Sequence, residues 1–129
     1  MSVKFLDSNI ILQYLLDDPE AVSIGNLLQD RQKLVLLDIV FAEVIWTLTR
    51  FYKWDKDKVI SLTSSLLDLQ NVSANKKLLQ RSLEIYKEGN IKYTDAYIAA
   101  SIIEKGAKHI YSFDRDFEKI SGIKRLEPK

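Results

Sequence analysis

The stretch Val3-Lys4-Phe5-Leu6-Asp7-Ser8-Asn9-Ile10-Ile11-Leu12 decides how the chain is read. A short apolar strand runs into an aspartate and then directly into a helical pattern, with Ile10, Ile11, Tyr14 and Leu15 recurring at three- and four-residue spacing. One carboxylate is thereby placed at the carboxyl end of a strand. In an open parallel sheet ligands sit at that edge, because the helices that follow the strands turn their positive amino ends toward it. Ser8 and Asn9 can cap the helix or orient Asp7 by hydrogen bonds. Alone, Asp7 reads as a helix N-cap; it gains meaning only if other carboxylates return to the same edge.

Outward from this stretch, strands and helices alternate. Pro19 fits the first turn of a second helix whose apolar face is Ala21, Ile24, Leu27 and Leu28, up to Asp30. Lys33 to Asp38 reads as a buried strand, with Asp38 also the N-cap of a long helix from Ile39 to about Tyr52. Glu43 interrupts the apolar first half of that helix. It must point to a polar stripe with Thr47 and Arg50 or sit in a polar crevice, since burial without partners costs several kcal/mol. A turn at 54–57 precedes a helix through Leu69, and 71–75 allows a third, peripheral strand.

Lys76 to Glu88 is helical and Gly89 is expected to stop it as a C′ glycine. Thr94 is expected to cap a helix with Asp95 in its first turn, and its small residues Ala96, Ala99, Ala100 and Ser101 permit close packing. Gly106 ends it. His109 to Phe113 reads as a strand leading into Asp114-Arg115-Asp116-Phe117, and Lys124 to Glu127 as a short last strand. Such alternation implies an α/β protein with a mainly parallel central sheet covered by helices on both faces.

The 129 residues suit one domain, 1–129, and 47% apolar with 29% charged residues is the balance of an ordinary globular protein. No cysteine is present, so thiolate metal sites and cysteine nucleophiles are excluded. Lys4 and Asp7 break the first apolar stretch before a signal sequence could form, and no apolar run reaches the ~18 residues needed to span a bilayer. A cytoplasmic protein without membrane partners is expected. Net charge is +1, yet residues 1–70 carry 7 basic and 10 acidic side chains and residues 71–129 carry 12 and 8. The basic second half suits a phosphate-rich partner, although solvated helix faces give the same count.

Four acidic residues stand where a strand-edge carboxylate would be useful: Asp7, Glu43, Asp95 and Asp114. Asp7 and Asp114 follow strands; Glu43 and Asp95 fall early in helices whose amino ends should face the same edge. Gathered together they would repel unless a cation neutralised them. An all-oxygen donor set selects a hard divalent ion, Mg²⁺ or Mn²⁺, and such an ion prepares a water for attack on phosphorus. Phosphodiester hydrolysis is the chemistry that follows.

The blocks Phe5-Leu6-Asp7-Ser8-Asn9-Ile10-Ile11-Leu12, Phe41-Ala42-Glu43-Val44, Tyr93-Thr94-Asp95-Ala96-Tyr97-Ile98-Ala99-Ala100 and Ser112-Phe113-Asp114-Arg115-Asp116-Phe117 resemble, in this order, the PIN domain family and within it the toxins of VapBC toxin–antitoxin modules. The resemblance spans nearly the whole chain. It implies a three-layer α/β/α sandwich and a metal-dependent endoribonuclease that leaves a 5′-phosphate and a 3′-hydroxyl. It further implies inhibition by a cognate antitoxin protein, and a homodimer. Carried over by residue, Asp7, Glu43, Asp95 and Asp114 form the acidic quartet, with Asp114 favoured over Asp116 because it directly follows the strand. Asn9, Thr94 and Ser112 would orient those carboxylates.

Plainer readings exist for each residue. Asp7 and Asp114 suit caps or Asx turns, Asp95 suits a helix first turn, and Glu43 a surface. The aromatics Tyr14, Trp46, Phe51, Tyr52 and Trp54 are expected in the core, or some of them in an apolar groove that receives an antitoxin helix. Two rival functions remain: a PIN-like module that binds RNA or protein without cutting, and a phosphoacceptor signalling domain. The second lacks an acidic neighbour for Asp7 and a lysine after the late strand, where Asp114 stands instead.

Overall fold

A computed structural model describes residues 3–17 and 21–129 and, of residues 21 and 22, the backbone alone. The expected helix start at Pro19 and the inward face of Ala21 lie outside the described residues. The chain divides into two compact units, 1–76 and 77–129.

In the first unit, β1 (Lys4–Phe5) leads to α1 (Ser8–Leu15), α2 (Ala21–Gln29), β2 (Leu34–Val35), α3 (Asp38–Arg50), α4 (Lys56–Leu67) and β3 (Val72–Ser73). The strands are parallel in the order β1-β2-β3, with Lys4 opposite Leu34 and Leu34 opposite Val72. The third strand is therefore peripheral, as read. The ladders run past the strand ends: Leu6 N–H donates to the Val35 carbonyl and Leu36 N–H to the Ser73 carbonyl, both at 2.9 Å. Beyond those bonds the chain turns into α1 and α3. A buried stripe of Val40, Phe41, Val44, Ile45 and Leu48 follows the helical spacing of α3, joined in the core by Leu6, Ile11, Leu28, Leu34 and Leu36.

Several expectations for this unit are corrected. Asp38 is the first residue of α3, and the N-cap is Leu37, whose extended backbone (φ −75, ψ 149) precedes the helix. Asp38 still favours the helix amino end by its charge, and it accepts from Asn75 Nδ2 at 3.1 and 3.3 Å. Asp55, in contrast, caps α4 as expected, accepting from Lys58 N–H at 2.9 Å. Trp46, Phe51 and Tyr52 are exposed at 60, 72 and 44% rather than in the core, and Tyr14 and Trp54 are half-buried. Trp46 follows Ile45 by one residue and so falls outside the inward stripe, while Phe51 and Tyr52 lie past the last turn of α3.

In the second unit α5 (Lys76–Glu88), all but its first residue, and α6 (Tyr93–Glu104) precede β4 (His109–Tyr111), a 3₁₀ turn (Arg115–Lys119) and β5 (Lys124–Leu126). The strands β4 and β5 are parallel, with Ile110 opposite Arg125. Gly89 is not in the left-handed conformation of a C′ glycine. A side chain there would lie 3.2 Å from Ile91 Cγ1, so close approach is what its missing Cβ permits. Gly106 does adopt that conformation, at φ 72, and it closes α6 with its N–H on the Ile103 carbonyl at 2.9 Å. The small residues Ala96, Ala99 and Ala100 are fully buried, alongside Leu79, Leu83, Tyr86, Tyr93 and Phe117.

Candidate active site

Each unit carries its own acidic group. In the first, Asp7 stands just past the last ladder bond of β1 and is itself the N-cap of α1, with its Oδ1 accepting from Ser8 N–H at 2.7 Å. The cap and the strand-edge readings are thus one and the same position. Ser8 Oγ donates to Glu43 Oε2 at 3.3 Å, which links the start of α1 to the second turn of α3. Glu43 and Asp7 are both exposed. Glu43 therefore takes the polar alternative and bears no burial cost. Asn9 is exposed on α1.

In the second unit Asp95, Asp114 and Asp116 each offer one carboxylate oxygen within 4.8 Å of the others. Asp95, in the first turn of α6, is only 6% exposed, and its Oδ2 is buried without a hydrogen-bond partner. Burial is the main cause that pushes its carboxyl above the ordinary 3.8; Lys92 opposes this, and the charges of Asp114 and Asp116 add to it. Asp114 follows β4 and caps the 3₁₀ turn. Its backbone N–H donates to Ser112 Oγ at 3.0 Å and its Oδ1 accepts from Asp116 N–H at 2.9 Å. Asp116 pairs with Lys119 Nζ at 3.0 Å. Thr94 is exposed in the first turn of α6 and is not its cap, because the helix begins one residue earlier and Lys92 holds the cap position.

The donor set fits a hard divalent cation. Opposite oxygens around an octahedral ion with ~2.1 Å bonds lie about 4.2 Å apart, so oxygens all within 4.8 Å of one another need only small side-chain adjustments to converge on one ion. The buried Asp95 Oδ2, which has no donor, is the kind of oxygen that a cation or another donor would satisfy.

Some participants escaped the sequence. Tyr93 OH and Ser82 Oγ, both buried, lie 2.8 Å apart and tie the first residue of α6 to α5. Arg125 Nη1 donates to the Ser112 carbonyl at 2.9 Å, and the guanidinium pairs with Glu118 and Glu127. Hydrogen bonds to Glu127 and then Glu118 hold it protonated above its usual range. Only the β4–β5 pairing brings residue 125 to residue 112, so no motif could have announced it.

With residues 4–123 matching the PIN domain family model, the chain belongs to the PIN domain family. It is similar to the VapC ribonuclease of Aquifex aeolicus (strain VF5), with 26% identity over 133 residues covering 98% of this chain and 97% of that protein. It is also similar to the crystal structure of Mycobacterium tuberculosis VapC20, a sarcin-ricin loop cleaving toxin, at 19% identity over 98% of this chain and 100% of that one, with a TM-score of 0.42, a likeness too loose to argue from. The α/β reading with parallel strands agrees with this family.

Proposed function

We propose that the chain acts as one domain and is a metal-dependent endoribonuclease, the toxin of a type II toxin–antitoxin pair. The observation that carries this is the Asp95–Asp114–Asp116 cluster with its buried, unpartnered Asp95 Oδ2, in a chain that belongs to the PIN family. The likeness to a VapC ribonuclease along the full length supports RNA as the substrate and an antitoxin as the partner.

Asp7, Glu43, Asp95 and Asp114 are the carboxylates we assign to catalysis and to holding Mg²⁺ or Mn²⁺. Bound there, the ion supplies an acidified water and positive charge for hydrolysis of a phosphodiester to a 5′-phosphate and a 3′-hydroxyl. The chain's own part is to hold these oxygens still. Ser8 ties the Asp7 cap to Glu43, while Ser112 and the Asp116 amide fix Asp114. Asp116, Asn9 and Thr94 serve as polar neighbours of the quartet. The exposed Ile39 and Trp46 on α3, with Phe51 and Tyr52 beyond it, give a protein partner an apolar surface. No helix among the described residues is long and apolar enough to cross a membrane. We place the protein in the cytoplasm, as a homodimer when free of antitoxin.

The test is cleavage of total cellular RNA by the purified protein and by Asp7→Asn, in EDTA, Mg²⁺ or Mn²⁺, with mapping of new ends. Discrete 5′-phosphate ends that require both metal and Asp7 are expected. Asparagine caps helices as well as aspartate does, so the variant should keep its fold and melting temperature. A folded, fully active Asp7→Asn would remove Asp7 from the site. Absence of cleavage by folded, metal-binding wild type would favour the non-cutting module.

A further inference from the structure

The segment that carries Asp114 and Asp116 is gripped on both sides by one arginine. Arg125 lies in β5 opposite Ile110, with its side chain only 8% exposed. Its Nη1 donates to the carbonyl of Ser112, two residues before Asp114, at 2.9 Å. Nε and Nη2 both donate to Glu118 Oε1, at 3.2 and 3.1 Å, two residues after Asp116. Glu127 Oε2 takes a further bond from Nη1 at 2.6 Å. Between these anchors the chain is already folded on itself by the bonds from Asp114 N–H to Ser112 Oγ and from Asp116 N–H to Asp114 Oδ1.

We propose that Arg125 is a positioning residue for the acidic cluster: by bridging Ser112 and Glu118 it sets where Asp114 and Asp116 present their carboxylates beside Asp95. This rests on the reading of Asp95 and Asp114 as metal holders, with Asp116 as their polar neighbour. Only a planar fork with several fixed donors can reach a main-chain carbonyl and two carboxylates at once; a lysine ammonium, a compact charge on a flexible stem, can replace part of this set. Partners that orient metal-holding side chains commonly change affinity or activity by about 10- to 100-fold when removed.

The experiment compares full-length wild type with Arg125→Met, Arg125→Lys and Glu118→Gln. It records thermal unfolding, Mn²⁺ binding by calorimetry, kcat and KM on RNA, and the NMR amide signals of Asp114 and Asp116. Arg125→Met should bind Mn²⁺ about 10-fold or more weakly and lose kcat at unchanged KM. It should also shift and expose to exchange the amides of Asp114 and Asp116. Arg125→Lys should recover part of each effect, and Glu118→Gln, which keeps an acceptor, should show the smallest change. A folded Arg125→Met with wild-type Mn²⁺ affinity, kcat and amide signals would overturn the proposal. So would losses that merely track the folded fraction. Should Arg125→Met not fold, the other two variants decide by the same readouts. If wild type neither binds Mn²⁺ nor cuts RNA, the nuclease reading falls; the amide signals still decide on Arg125, and unmoved signals overturn its role.

Discussion

Replacing Asp95 by asparagine should make the metal-free protein more stable and the metal-loaded one less so. Asp95 is 6% exposed, and its Oδ2 has no donor while two further carboxylates lie close by. A buried polar group left unsatisfied costs about 1–3 kcal/mol, and more when charged. The asparagine amide is neutral and can donate toward Asp114 or Asp116, so we expect a recovery of about 1–2 kcal/mol at pH 8 in EDTA. With an unfolding entropy near 2.1 cal/mol/K per residue, 129 residues translate this into a rise of about 4–7 °C in Tm. The gain has a defined pH dependence. Because the folded carboxyl titrates above its ordinary 3.8, the folded state binds more protons through that window. The wild type therefore loses stability as pH rises through it. The advantage of Asp95→Asn should be small near pH 4 and full well above the folded pKa. Mn²⁺ should invert the ranking: at 100 times its Kd a ligand adds about 2.7 kcal/mol, roughly 10 °C here, and the variant should gain far less. Scanning calorimetry of both proteins at pH 4, 6 and 8, in EDTA and in Mn²⁺, checks each part. A variant no more stable than wild type in EDTA at pH 8 would refute the account of Asp95 as a costly buried charge. Equal Mn²⁺ shifts would refute its role as a ligand.

Asp114→Asn should weaken Mn²⁺ binding by about 10-fold or more, and Asp116→Asn much less, because Lys119 already pairs with Asp116 at 3.0 Å. Titration calorimetry distinguishes them, and the reverse order would make Asp116 the fourth carboxylate. Tyr93→Phe removes the 2.8 Å contact with Ser82 Oγ, which keeps its 2.6 Å bond to the Leu79 carbonyl. The cost should be about 1 kcal/mol, or about 4 °C in Tm; a change under 1 °C would show that the bond contributes nothing.

Apolar periodicity made the helices legible, because burying a stripe demands three- and four-residue spacing: Val40, Phe41, Val44, Ile45 and Leu48 are the residues it selects, and they are the buried ones. It misled at Trp46, Phe51 and Tyr52, since hydrophobicity alone does not say which face of an apolar helix turns inward. The caps at Asp38 and Thr94 failed for a different reason. Residues that cap a helix also suit its first turn, so a shift of one or two positions leaves the sequence signal unchanged. Of the carboxylates, Asp7, Glu43, Asp95 and Asp114 stood out by their places after strands and early in helices, with Asp116 as the alternative to Asp114. The structure puts both Asp114 and Asp116 beside Asp95. Arg125 and the Ser82–Tyr93 pair were silent because their partners meet only through tertiary pairing.

The first strand is two residues long, yet its placement is guarded. Leu6 is 5% exposed, flanked by Phe5 at 63% and by the exposed Asp7. A slip of one residue that brought Asp7 into the place of Leu6 would carry the carboxylate into the interior and turn the leucine out. A charged group without a partner would then be dehydrated while a leucine was wetted, and both changes oppose the error. That mispairing is thus disfavoured by the same carboxylate we assign to catalysis. Substituting Asp7 by an apolar residue would loosen that discrimination, so one side chain serves both the proposed chemistry and the placement of the amino-terminal strand.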